Sequence, residues 1–205
     1  MDKKPTQTNR QRQKIETHNL ILKTAKELFL DRGYEKTTMR DIAKKAGLGT
    51  GTAFTHFPDK KSLLAATLYN DIEEALNQAF ESLPSNSSII EMLVHPVRTI
   101  FEHFAKTPQL SKTLLKEILF MQDPWGKRVD MQLQRSTKLT QKVLEDLKNN
   151  GQLCANSNCE ILALGVMSHY LSILYWGVGQ DIEVEKQIDI FRLLLESLLI
   201  GHIIG

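Results

Sequence analysis

Between Thr37 and Lys61 the chain gathers side chains suited to meeting a polyanion: Arg40, Lys44 and Lys45, then Thr50, Thr52, Thr55 and His56, then Lys60 and Lys61. Lysine and arginine meet phosphate oxygens as charges, while threonine hydroxyls and a histidine ring meet them through hydrogen bonds. His56 has no acidic or cysteine neighbour to share a metal with, so hydrogen bonding to phosphate is its expected chemistry. Such groups act only if a frame holds them together. Met39, Ile42, Ala43 and Ala46 follow the spacing of one helix face, and Gly47 is placed to end that helix. A second short helix must follow at once, because Pro58 and Asp59 close the segment. In it Ala53 and Phe57, four apart, point inward and leave Thr50, Gly51, Thr52, Thr55 and His56 facing out. Two short helices joined by a glycine turn are the sequence form of a helix-turn-helix, whose second helix lies in the DNA major groove.

The neighbouring segments fit that frame. A helix over 14–32 carries Ile21, Leu22, Ala25, Leu28 and Phe29 as one stripe and stops at Gly33. Thr38 with Asp41 caps the helix that follows it, and Asp59 caps a longer one that runs to about residue 82. Lys60 and Lys61 stand at the entrance of the longer helix, where its N-terminus also favours a phosphate. Residues 1–13 form a polar, basic tail with Lys3, Lys4, Arg10 and Arg12. The charge is divided in the same sense. Residues 1–60 hold 13 Lys/Arg against 7 Asp/Glu, a net +6, and the remaining 13 against 17 leave −4, for +2 in the whole chain of 205. A basic head on an acidic body suits a polyanion at one end only.

Over residues 21–64, ILKTAKELFLDRGYEKTTMRDIAKKAGLGTGTAFTHFPDKKSLL resembles the DNA-binding domain of the tetracycline-repressor (TetR) family of bacterial regulators. Gly33-Tyr34, Thr37-Thr38, Asp41-Ile42-Ala43, Ala46-Gly47, Gly51-Thr52 and His56-Phe57 fall where that family's signature has them. The resemblance implies phosphate-contacting roles for Thr38, Arg40, Thr52, Phe54, Thr55, His56 and Lys60, with Lys61 beside them. It implies base readout around Met39, Thr50, Gly51 and Thr55. The chain departs from the family at Gly49, where a serine cap is usual, at Thr50, where a longer polar side chain is common, and at Phe54, where a tyrosine hydroxyl often meets a phosphate.

The rest of the chain reads as helices too, so the expected fold class is all-α. An N-terminal three-helix helix-turn-helix domain over 1–60 is joined to a C-terminal helical ligand-binding and dimerisation domain over 61–205. Pro84 and the polar run at 85–88 end the long helix, which belongs to both parts. Ser88 with Glu91 opens a helix kinked or broken at Pro96, Pro108 opens another to about residue 122, and Asp123 with Pro124 opens one to about residue 150. Val129, Leu133, Ser136, Val143 and Leu147 form its expected inner face. Ser157 with Glu160 caps a helix that is apolar on nearly every side, and a last helix covers 184–203. Residues 161–178 carry no Asp, Glu, Lys or Arg, the minimum length for a membrane span. Ser168, His169, Ser172, two glycines and the acidic flanks Glu160 and Asp181 argue instead for a helix buried in a core or interface.

The last two helices have more apolar surface than one small core absorbs. A homodimer through Leu171, Leu174, Ile188, Phe191, Leu195 and Leu198 is expected, as the resemblance also implies. Two such protomers fit a two-fold symmetric operator in double-stranded DNA. Phe101, Phe104, Phe120, Met121, Trp125, Met131, Met167 and Tyr170 supply the side chains of an apolar cavity, and the resemblance implies a small-molecule effector there. No cofactor or metal is expected. Glu91 and His95 complete no metal motif, and no nucleophile elbow, phosphate loop or dinucleotide fingerprint appears. Cys154 and Cys159 form no disulfide framework, which points to a reduced cytoplasmic setting. The expected function is a ligand-responsive transcriptional repressor and not an enzyme. The competing expectation is a helical ligand-binding or scaffolding protein that no longer binds DNA.

Overall fold

The computed structural model describes residues 8–84, 87–122 and 124–204; the expectations for Lys3, Lys4 and Asp123 lie outside them. Among the described residues there are nine α-helices and no strand: α1 (Asn9–Arg32), α2 (Met39–Lys45), α3 (Thr50–His56), α4 (Lys60–Glu81), α5 (Ile89–Ala105), α6 (Pro108–Ile118), α7 (Pro124–Asn149), α8 (Cys159–Gly179) and α9 (Val184–Leu198). The chain divides into two compact units, and the division lies inside α4, after Leu68. Leu63, Leu64, Ala66 and Leu68 are buried and belong with the first unit, so the motif's end at residue 60 is not where its packing ends.

In the first unit α1 starts five residues before the expected point. Thr8 and Gln11 form a reciprocal capping box that satisfies two backbone groups of the first turn. Ile21, Ala25, Leu28 and Phe29 are its buried stripe. Thr37 is buried behind the next turn, with its hydroxyl 2.9 Å from the Gly33 carbonyl. The turn after α2 rests on Gly47, whose φ of +69° is open to glycine at little cost. That conformation lets the Leu48 N–H reach back 2.9 Å to the Ala43 carbonyl, closing the end of α2.

In the second unit α5 runs unbroken through Pro96, and Ile89, Leu93, Val97, Ile100 and Phe104 face its core. The end of α6 comes at Ile118, where the chain turns and buries Met121. Three polar side chains, Gln132, Ser136 and Thr140, share the buried face of α7 with Trp125, Leu144 and Leu147, while Val129, Leu133 and Val143 are half-buried. The apolar helix α8 is long enough by composition to cross a membrane; Leu162, Ala163, Val166, Ile173 and Leu174 are buried within the unit. A Cβ on Gly177 would stand 2.2 Å from Gln187 Oε1, so this glycine allows α9 to lie close against α8. Helix α9 stops at Leu198, short of residue 203. The chain then turns at Gly201 and pairs Ile203 with Leu153, and His202 Nδ1 lies 2.9 Å from Ser157 Oγ.

Candidate nucleic-acid interface and internal cavity

Seven residues make α3, and two inward anchors fix which way it faces. Ala53 and Phe57 are fully buried, and the His18 ring stacks on Phe57 at 4.6 Å between centroids. Gly51, Thr52, Phe54 and Thr55 are therefore exposed, with Thr50 and His56 half-buried at the edges. Gly49 occupies the N-cap and offers no side-chain cap, which leaves the first amides of α3 without a side-chain acceptor. The Thr55 hydroxyl donates to the Gly51 carbonyl at 2.9 Å. Its proton is thus committed inside the helix, and its methyl and lone pairs remain for a partner.

The flanking groups are held as firmly. Thr38 accepts from the Asp41 amide at 3.1 Å and donates its hydroxyl to the Asp41 carboxylate at 2.6 Å, while the Thr38 amide donates to the same carboxylate at 3.0 Å. The Thr38 hydroxyl and amide contacts hold the Asp41 carboxyl below its ordinary pKa. Asp59 caps α4 by accepting from the Ser62 amide at 2.6 Å. Lys60 donates to the Tyr34 carbonyl at 2.9 Å and lies 4.1 Å from the Tyr34 ring centroid, so its ammonium is positioned rather than loose. Lys61 is half-buried beside it. Arg40, Lys44 and Lys45 are exposed, and Lys45 meets Glu27 at 3.0 Å. Burial, and then the Lys14 ammonium, lower the pKa of His56.

Met39 is a correction. It is 7% exposed and lies on the inner face of α2 with Ile42 and Ala43, so it serves the core and is not presented to bases. The other DNA-facing positions expected from the sequence are exposed or half-exposed on the first unit.

The second unit contains a cavity of about 50 Å³ between α4, α5, α7 and α8. Of the residues expected to line it, Met167 and Tyr170 do. Phe101 and Phe104 line a second cavity of about 120 Å³ beside Gln187, with Phe101 stacked on Tyr170 at 6.0 Å. Phe120 and Met131 are corrected to surface positions, 84% and 66% exposed, because Phe120 lies in the turn after α6 and Met131 is on the outer side of α7. Met121 and Trp125 are core residues, with Arg128 over the Trp125 ring at 4.4 Å and Tyr69 at its edge. The larger surprise is polar. Gln132, Ser136 and Thr140 line the cavity at a spacing of four; Ser136 is on the expected inner face of α7, whereas Gln132 and Thr140 are obscured in the sequence because the rest of that face is drawn from apolar residues. Among the described residues, no group of three or more His, Cys, Asp or Glu is placed to hold a metal ion.

The expected subunit interface also needs correction. Leu174, Ile188, Phe191 and Leu195 are at most 2% exposed within a single protomer, so they build its own core. Leu171 and Leu198 are half-buried. The apolar residues turned outward are Ile161, Leu164 and Trp176 on α8 and Leu193 on α9.

Residues 21–67 match the family model described as bacterial regulatory proteins, tetR family. Over 181 residues the chain is 27% identical to the HTH-type transcriptional regulator YhgD of Bacillus subtilis, covering 84% of this chain and 90% of YhgD. Its fold is similar to that of a TetR-family transcriptional regulator from Pectobacterium atrosepticum, with a TM-score of 0.75 at 21% identity over 97% of this chain and 99% of the other. It is also similar to the TetR-family repressor FadR of Thermus thermophilus, solved in complex with lauroyl-CoA, with a TM-score of 0.70 at 24% identity over 88% and 94% of the two chains. The helix-turn-helix and the family match agree that residues 21–67 carry the DNA-binding segment of the tetR family of bacterial regulatory proteins, and the all-helical fold of the described residues is similar to that of TetR-family transcriptional regulators.

Proposed function

We propose that the protein is a homodimeric cytoplasmic repressor that occupies a two-fold symmetric operator and leaves it when a small apolar molecule enters the second unit. The observation that carries the first part is the outer face of α3. Short side chains at Gly51, Thr52 and Thr55 allow close approach to a groove, and Lys60 and the α4 N-terminus stand ready for the phosphates beside it. With the Thr55 proton held by Gly51, methyl contacts and DNA shape carry more of the sequence readout than bidentate base pairs.

Dimerisation rests on the outward apolar residues of α8 and α9, where Leu193 is 64% and Ile161 59% exposed. Replacing Leu164 and Leu193 together by glutamate is expected to give a folded monomer in sedimentation. The effector reading is supported by the internal cavity and by a neighbour of the same fold that holds lauroyl-CoA. Helix α4 supplies part of the cavity wall and continues into the first unit, so a ligand that displaces this wall also biases the position of the DNA-facing helices.

Selecting bound fragments from random duplexes with the purified protein tests the whole reading. The expected product is an inverted repeat with half-sites about 34 to 36 Å, or a multiple of that distance, apart. Recovery of no preferred sequence, with indifference to duplex at low salt, would favour the helical ligand-binding alternative.

A further inference from the structure

The cavity between α4, α5, α7 and α8 has walls without a formal charge. Ile72 and Leu76 of α4 and Met92 and Val97 of α5 make its apolar side. Its polar side is a line of neutral groups on α7, with Tyr170 of α8 completing it. Gln132 and Thr140 stand two turns apart, roughly 12 Å along the axis at about 1.5 Å per residue.

The chemistry left open along that line can be read group by group. The Gln132 amide donates to Glu73 Oε2 at 2.7 Å, which leaves its carbonyl oxygen as an acceptor. Ser136 donates its hydroxyl to the Gln132 backbone carbonyl at 3.0 Å and keeps its lone pairs. Thr140 is 5% exposed, and neither its hydroxyl nor that of Tyr170 has a hydrogen-bond partner among the described residues. Burial pushes the Tyr170 phenol up, so it stays protonated. Glu73, the carboxylate that accepts from Gln132, is already paired with Arg135, which also donates to Asn77 at 2.6 Å. Neither an anion nor a cation would find an unmatched partner here, and an unmatched buried charge is far costlier than a neutral polar group.

Resting on the effector reading above, we propose that this cavity selects a neutral, elongated molecule, apolar along one side and carrying a hydrogen-bonding group that meets Thr140 and Tyr170. A volume of about 50 Å³ is well below the roughly 300 Å³ of an ordinary small-molecule site, so the ligand enters by parting the walls. Met92 and Met167 line the cavity and are the side chains best able to re-pack around it.

The test is calorimetric titration of the full chain at neutral pH with decan-1-ol, kept below its aqueous solubility, and with decanoate and decylammonium, each kept below its micelle concentration. The alcohol is expected to bind saturably and both ions at least roughly 30-fold more weakly, because each would bury an unpaired charge. Thr140→Val with Tyr170→Phe should weaken alcohol binding about fivefold or more, the equivalent of one or two neutral hydrogen bonds. Thr140→Ser, which keeps the hydroxyl, should hold the affinity. Thermal unfolding of each variant establishes that the fold is retained. Either ion binding as tightly as the alcohol would overturn the neutral class while leaving a ligand cavity in place. Alcohol binding indifferent to the double variant would overturn the role of the two hydroxyls. If none of the three probes binds, the effector cavity itself is refuted and the inference falls with it.

Discussion

On the outer face of α3 the side chains are short and exposed, and the helix is pinned from behind by Ala53 and Phe57, both fully buried. Around the cavity of the second unit the arrangement is inverted. Long, adaptable apolar side chains face inward, and the polar groups are the buried ones. In the proposed function the first region presents a fixed shape to a large, invariant partner, and its caps and lysine are already held by internal hydrogen bonds. The second would then be a small space, lined in part by Met92 and Met167, whose walls part as it is filled. The proposed function needs both properties, and the two regions lie in separate packing units.

That contrast can be broken most forcefully by truncation. Phe57→Ala should cost about 3–5 kcal/mol, since it empties a fully buried site. Leu133→Ala on the half-buried cavity wall should cost only about 1 kcal/mol. Denaturant titration of both variants decides, and equal losses would mean that the two regions are packed alike. Next in size is Gly47→Ala. Its positive φ places the new Cβ in a left-handed conformation at about 1–2 kcal/mol, and DNA binding should weaken as the turn geometry is disturbed.

The unequal legibility of the two regions has the same origin. Turn glycine, caps and helix spacing are local signals, so the outward face of α3 could be drawn from residues 47–59 alone. Met39 was misplaced because the resemblance supplied a role that its inner-face spacing with Ile42 contradicts. The Thr8 capping box lies in a polar, basic stretch with too few apolar residues for helical spacing to mark where α1 begins. Cavity and interface depend on which of several apolar stripes turns inward, and that is settled by distant helices. Phe191 and Leu195 have the same types and spacing as interface residues, yet the protomer's own core buries them. Gln132 and Thr140 are buried polar residues whose significance appears only once α7 is seen against Glu73 and Tyr170.

A smaller effect concerns protons. The folded-state pKa of His56 lies below its unfolded value, so protonation favours the unfolded chain. This contribution to stability is present above about pH 6.5 and is lost as the pH falls further. Bound phosphate near the ring acts in the opposite direction, because it favours the protonated form. Operator affinity should therefore rise as the pH is lowered from 8 to 6, and His56→Gln should flatten that dependence. Lys14 and His18 remain in the variant and serve as the internal control. The smallest change is expected from Lys45→Ala. Its exposed pair with Glu27 is screened by water, so the unfolding midpoint should stay at the wild-type value within experimental error.

The most direct test of the central claim, that the face of α3 with the start of α4 binds DNA, is the slope of log Kd against log salt concentration for wild type and Lys60→Ala on the selected duplex. The account predicts a steep wild-type slope, made shallower by about 0.9 for every phosphate that the variant dimer no longer neutralises. A slope near zero in the wild type, or one that Lys60→Ala leaves unchanged, would contradict it.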